Sequence, residues 1–107
     1  MSTENAPKLC TTSGKPITDE TRKINPATGM QNDYIVLCAD ERAKGYVRPV
    51  RETYKHLTCG ATTTMARSLA ETYARDPGFY SGTFCATCRT HRPLTEFVWL
   101  DGTQVGS

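Results

Sequence analysis

Two pairs of metal-ligating side chains, each separated by two residues, most constrain how this chain can fold. His56 and Cys59 form the first pair, and Cys85 and Cys88 form the second, in the pattern H-x2-C-x25-C-x2-C. A spacing of two residues lets one tight turn direct both side chains at a single ion, and Zn2+ accepts four nitrogen and sulfur ligands in a tetrahedral arrangement. The sequence therefore predicts a structural zinc site with the ligands His56, Cys59, Cys85 and Cys88.

The identity of the fourth ligand remains open among three residues. His56 is preferred because it pairs with Cys59, but His91 lies three residues after Cys88 and Cys38 ends a predicted strand. Cys10 lies in a polar segment, where we expect a free thiol.

The composition explains why an ion matters for folding. The chain has 107 residues, of which 37% are hydrophobic, and its first third contributes few of them. Small domains with little apolar interior often need a metal or disulfides. A zinc site closed by four protein ligands is structural, and its binding free energy, about 10 kcal/mol or more in small zinc modules, becomes folding free energy.

The polarity of the chain changes near residue 33. Residues 1–33 are rich in Ser, Thr, Asn, Pro and Gly, which predicts a polar, partly irregular N-terminal arm. This arm is either disordered or packed on the rest of the chain through Cys10, Pro16 and Ile17. Residues 34–107 are predicted to form the zinc-stapled domain.

Hydrophobic patterns within residues 34–107 predict an α+β fold: a small antiparallel sheet with one helix lying across it. The expected elements are a buried strand at 34–38, an extended edge segment at 46–57, a helix at 63–75 capped by one of Thr62–Thr64, and a final strand within 94–100.

The chain contains no apolar run approaching the ~20 residues of a membrane span, and its N-terminus lacks the pattern of a signal peptide. These features predict a cytoplasmic protein with no membrane partner. Because thiols stay reduced in the cytoplasm, C-x2-C there favours metal or redox chemistry over a structural disulfide.

Three kinds of catalytic site are alternatives to a structural site, and the sequence fits none of them well. A thioredoxin-like C-x2-C opens a helix, which Pro93 discourages. A zinc deaminase requires H-x-E and a proline before its cysteine pair, whereas Thr58 and Phe84 occupy those positions. A zinc hydrolase needs an open coordination position beside a carboxylate such as Glu52 or Glu96. We therefore predict a non-catalytic protein.

The paired ligands resemble those of zinc-ribbon and treble-clef-like modules. From about residue 9 to the end, the runs LCTTSGKPI, NPATGMQNDYIVL, ERAKGYVRPVRETY, AETYARDPGFYSGTFCATC and EFVWLDG are similar to small uncharacterised proteins of tailed bacteriophages. This resemblance implies a phage protein that acts in the bacterial cytoplasm or in the virion. It implies no particular activity and no further ligand.

Two functions follow as hypotheses. The first is a zinc-binding interaction module whose partner is a host or phage protein, with an exposed Tyr80 or Trp99 as a possible anchor, although most aromatic side chains of so small a domain are expected in its core. The alternative is nucleic-acid binding by the basic stretch 42–56, in which cations alternate with Tyr46 and Tyr54. Its cations are Arg42, Lys44, Arg48, Arg51 and Lys55.

Overall fold

The computed structural model describes residues 8–106, which form short antiparallel strand pairs and few helices. The elements in chain order are β1 Leu9–Thr11, β2 Ile35–Leu37, α1 Ala39–Arg42, β3 Thr53–His56, β4 Thr62–Thr64, α2 Arg67–Arg75, β5 Gly82–Cys85, β6 Thr90–Pro93, a 3-10 turn Leu94–Glu96, and β7 Phe97–Trp99. The sheets have the strand orders β1-β2, β4-β3-β7 and β5-β6, and every pairing is antiparallel. The small α+β fold is confirmed, but its strands form three sheets rather than one.

The N-terminal arm joins the fold through β1. Leu9 pairs with Leu37 of β2, and Cys10 forms a disulfide with Cys38, whose Cα lies 5.0 Å away. The prediction of a free thiol at Cys10 is therefore wrong. A three-residue strand is too short to show a period in sequence, so nothing there indicated the pairing that brings the two cysteines together. Ile17 is 44% exposed, and the arm's residues 1–7 lie outside the described residues.

The main helix is shorter than its hydrophobic period predicts. α2 begins after Ala66, which makes no side-chain capping bond. The threonines expected to cap it form β4 instead, where Thr64 pairs with Thr53. Threonine is branched at Cβ and favours extended backbone, so the helix starts four residues later than the apolar spacing suggested and ends at Arg75 as predicted.

The core lies where α2 covers the β4-β3-β7 sheet. Tyr54 of β3 meets Phe97 and Trp99 of β7 edge to face, with ring centroids 5.4 and 6.2 Å apart, and Tyr73 of α2 meets Trp99 at 5.6 Å. Cys85 belongs to the same buried cluster. Trp99 is 1% exposed, so it is a core residue and no partner anchor.

The segment at 46–57 is extended only at its end, in β3. Tyr46 is 44% exposed, while the backbone N–H groups of Val47 and Arg48 both donate to the carbonyl of Ala74 at 2.8 and 3.1 Å. The segment thus closes the C-terminal turn of α2 before it enters the sheet.

Candidate metal centre

The two predicted ligand pairs lie at the tips of two hairpins with the same local geometry. His56 ends β3 and Cys85 ends β5, and each is followed by a turn into the next strand. In the first turn Gly60 N–H donates to the carbonyl of His56, and in the second Arg89 N–H donates to the carbonyl of Cys85, both at 2.7 Å. The H-x2-C and C-x2-C sequences therefore fold into equivalent knuckles.

Both knuckles close with a residue in the left-handed region, Gly60 at φ 77° and Arg89 at φ 57°. Arg89 is the only non-glycine residue with positive φ between residues 8 and 106, a conformation that costs an ordinary residue about 1 kcal/mol or more. The N-terminal arm packs against Arg89 in this conformation. The guanidinium of Arg89 donates to the carbonyl of Ala27, and Gly29 lies so close that a Cβ there would collide with the carbonyl oxygen of Arg89.

The four predicted ligands His56, Cys59, Cys85 and Cys88 form a group that can hold a metal ion, with all ligand atoms within 4.8 Å of one another. The Sγ of Cys59 lies 3.3 Å from His56 Nδ1 and 3.6 Å from Cys85 Sγ, and Cys88 Sγ lies 3.6 Å from His56 Nδ1. Around a tetrahedral zinc with bonds of 2.0–2.3 Å, neighbouring ligand atoms are about 3.5–3.8 Å apart. The donor set and its spacing fit such an ion.

The ring of His56 is oriented by its surroundings. Its Nε2 donates to Glu96 Oε1 at 2.7 Å, so Nδ1 faces the sulfurs. Arg92 holds the other oxygen of Glu96 at 2.8 Å, and Phe97 stacks on the imidazole with centroids 4.6 Å apart. A carboxylate on the second nitrogen is the usual support for a metal-bound histidine, because it fixes the ring and its tautomer.

The sulfurs receive backbone hydrogen bonds that stabilise thiolates. The N–H of Ala61 lowers the pKa of Cys59 to about 7, and the N–H of Cys88 donates to Cys85 Sγ at 3.4 Å. The pKa of Cys88 is raised to about 11, chiefly by its hydrogen bond with the sulfur of Cys85. Without an ion, the thiol of Cys59 therefore loses its proton at a lower pH than the thiol of Cys88.

The two members of each ligand pair differ in exposure. His56 is 2% exposed and Cys85 is fully buried, whereas Cys59 and Cys88 are exposed. One ligand of each knuckle is thus anchored in the core, and the other reaches the surface.

The rival ligands lie elsewhere. His91 Nε2 shares a hydrogen bond of 2.9 Å with the hydroxyl of Tyr34, and its ring packs 5.3 Å from that of Phe84. Cys38 is bonded to Cys10. Within the described chain, the cluster at His56 is the only such metal-ligating group.

The two carboxylates that a zinc hydrolase would call on, Glu52 and Glu96, are both bonded to other side chains. Glu52 forms an ion pair of 3.1 Å with Arg67, and Glu96 is held by His56 and Arg92. Neither stands free beside the sulfurs to move a proton for a bound water.

The basic stretch 42–56 is largely neutralised by acidic neighbours. Arg42 pairs with Glu71, Lys44 pairs with Glu41 at 3.0 Å, and Arg51 pairs with Asp101 at 3.2 Å. Two cations of the stretch remain exposed without an acidic partner in residues 8–106, Arg48 and Lys55.

A scan against protein-family models found no match to this chain, and searches of curated proteins and of solved structures found none either. Every helix in the described part of the chain is too short or too polar to cross a bilayer.

Proposed function

We propose that the chain is a small non-catalytic interaction module built around one structural zinc ion. The observation that carries this proposal is the closed set of one imidazole nitrogen and three sulfurs, with the imidazole held from behind by Glu96. Tetrahedral nitrogen and sulfur ligation favours zinc among the common metals. Four protein ligands leave no position for a reactive water, so the ion stabilises the fold and performs no chemistry.

The hairpin origin of the ligands favours a zinc-ribbon-like arrangement. In this arrangement two knuckles from separate hairpins share one ion, and α2 contributes no ligand. The ion would join β3 and β5, which belong to different sheets, and its binding free energy would add about 10 kcal/mol or more to folding.

The proposed partner is a host or phage protein, in keeping with the resemblance to tailed-phage proteins. Support comes from apolar side chains that the fold leaves exposed, including Leu57 in the first knuckle at 56% and Leu100 just after β7 at 67%. The Cys10–Cys38 disulfide favours the virion over the reducing bacterial cytoplasm as its place of action.

The test is capture of partners from bacterial lysate and from phage particles by zinc-loaded protein, with and without nuclease treatment. The proposal predicts specific protein capture that survives nuclease and is lost in Cys85→Ser. Capture abolished by nuclease would instead support the second candidate.

The second candidate is a nucleic-acid-binding zinc module. Exposed Arg48 and Lys55, with the exposed ring of Tyr46, are the observations that favour it. Phosphate contacts release counterions, so affinity for single-stranded DNA would fall steeply as salt rises, and Arg48→Gln would reduce that slope. A flat salt response would eliminate this candidate.

A further inference from the structure

A cavity of about 500 Å³ lies between the arm and the domain that carries the metal cluster. Leu9 and Met30 line it from the arm, and Met65 and Leu69 line it from the strand-to-helix connection and α2. Small-molecule sites typically enclose about 300–1,000 Å³ with mostly apolar walls. The cavity is therefore large enough for a small organic molecule.

Aromatic rings form much of the wall, and their hydroxyl groups are already bonded to the protein. Tyr34 OH shares its hydrogen bond with His91, Tyr80 OH donates to the carbonyl of Ile35 at 2.5 Å, and Tyr54 OH donates to a backbone carbonyl. Since these hydroxyls are occupied, the rings offer a ligand their carbon faces and edges, which favour a flat apolar body.

The charged and polar side chains of the lining indicate which polar group a ligand would carry. The exposed side chain of Arg22 lines the cavity, and its guanidinium has no ion pair or hydrogen bond among residues 8–106. The side-chain amide of Gln31 lines the same space and is likewise without a bonded partner among residues 8–106. The described lining contains neither Asp nor Glu. A free guanidinium and an amide donor that line one cavity, with no carboxylate in the described lining, are suited to a single anionic group.

We propose that this cavity binds a small amphipathic anion, whose flat apolar ring system lies against the aromatic wall and whose carboxylate or sulfonate meets Arg22. This site goes beyond the zinc-stapled module proposed above. The N-terminal arm would then contribute to ligand binding, since it supplies Arg22 and one wall of the cavity.

The experiment uses two probes of one shape that differ in charge, anilinonaphthalene sulfonate and its neutral analogue phenylnaphthylamine, titrated into zinc-loaded full-length protein by fluorescence and calorimetry. We expect one saturable site for each. Arg22→Gln should weaken the sulfonate at least tenfold and leave the neutral probe within twofold. Arg48→Gln, a matched change at an exposed arginine outside the cavity, should alter neither.

Methyl NMR locates the probe and checks the fold together. Met30 and Met65 both line the cavity, so both methyl signals should shift on binding and stay dispersed in the Arg22→Gln protein. If the NMR signals of Arg22→Gln lose their dispersion, Arg22→Lys is used in its place. Because lysine keeps the positive charge, this variant should bind the sulfonate with an affinity close to that of the wild type. Absence of saturable binding, equal weakening of both probes, or binding without shifts at Met30 and Met65 would overturn the proposal.

Discussion

His56 donates its Nε2 proton to the carboxylate of Glu96 at 2.7 Å, and this bond turns the opposite nitrogen toward three cysteine sulfurs. Glu96 lies 40 residues away in sequence, on the turn that precedes β7. The β3–β7 pairing, in which His56 stands opposite Phe97, brings the two together. The orientation of the metal ligand therefore depends on the central sheet.

Replacing Glu96 with Ala should weaken zinc binding by about 10- to 100-fold, because loss of a carboxylate behind a ligating histidine has this effect in metal sites. Competition with a calibrated chelator measures the change. Glu52→Ala is the matched control, since it removes an acidic residue that pairs with Arg67 far from the ligands and should leave zinc affinity intact. Equal affinities in the two variants would contradict the supporting role of Glu96.

Zinc binding should weaken steeply as pH falls, because the ion displaces protons from its ligands. Glu96 raises the pKa of His56 above its ordinary 6.5. In the metal-free protein the protonated ring therefore stabilises the fold. This contribution to the free energy of unfolding is fully present below pH 6.5 and is lost as pH rises through the higher pKa of the folded state. Zinc requires the neutral ring and the thiolates, so apparent affinity measured between pH 8 and pH 6 should fall more than tenfold per unit. A pH-independent affinity would count against thiolate and imidazole ligation.

The disulfide should stabilise the arm without contributing to the metal site. Cys10 and Cys38 are 28 residues apart, and closing a loop of that length stabilises a fold by about 3–4 kcal/mol on the chain-entropy model. The double replacement Cys10→Ser with Cys38→Ser should lower the midpoint of urea unfolding while one zinc ion stays bound. Loss of zinc in that variant would mean that these cysteines support the cluster after all.

A methyl group at Gly29 should disturb the contact between the arm and the second knuckle. Gly29 has φ 81° and faces the carbonyl of Arg89, whereas Gly14 has φ 85° and open space around its Cβ position. Both Ala variants share the backbone cost of about 1 kcal/mol, so their difference isolates the collision. Gly29→Ala should lose a further 1–3 kcal/mol of unfolding free energy, about the cost of overpacking. Chemical denaturation measures both, and equal losses would refute the contact.

The ligand cluster was predictable because its signal is local. A spacing of two residues defines each knuckle without knowledge of the sheet, and the structure gathers His56, Cys59, Cys85 and Cys88 as the sequence suggests. The buried strand at 34–38 and the core position of Trp99 followed from β-branched and aromatic content in the same way.

Features that depend on long-range pairing were missed. The Cys10–Cys38 bond requires β1 to lie beside β2, and a three-residue strand has no readable period. The role of Glu96 required the register of β3 against β7. The charges of Arg42 and Arg51 are balanced by acidic residues 29 and 50 positions away, so the basic stretch looked freer in sequence than it is in the fold.

The most direct test is the zinc content and the thermal unfolding of the purified chain, compared with Cys85→Ser and with Ala86→Ser, an exposed non-ligand in the same turn. One zinc per chain is expected in the wild type and in Ala86→Ser, with loss of both the ion and the cooperative transition in Cys85→Ser or after chelation. A metal-free wild-type chain that melts cooperatively, at a temperature unchanged by Cys85→Ser, would contradict the account.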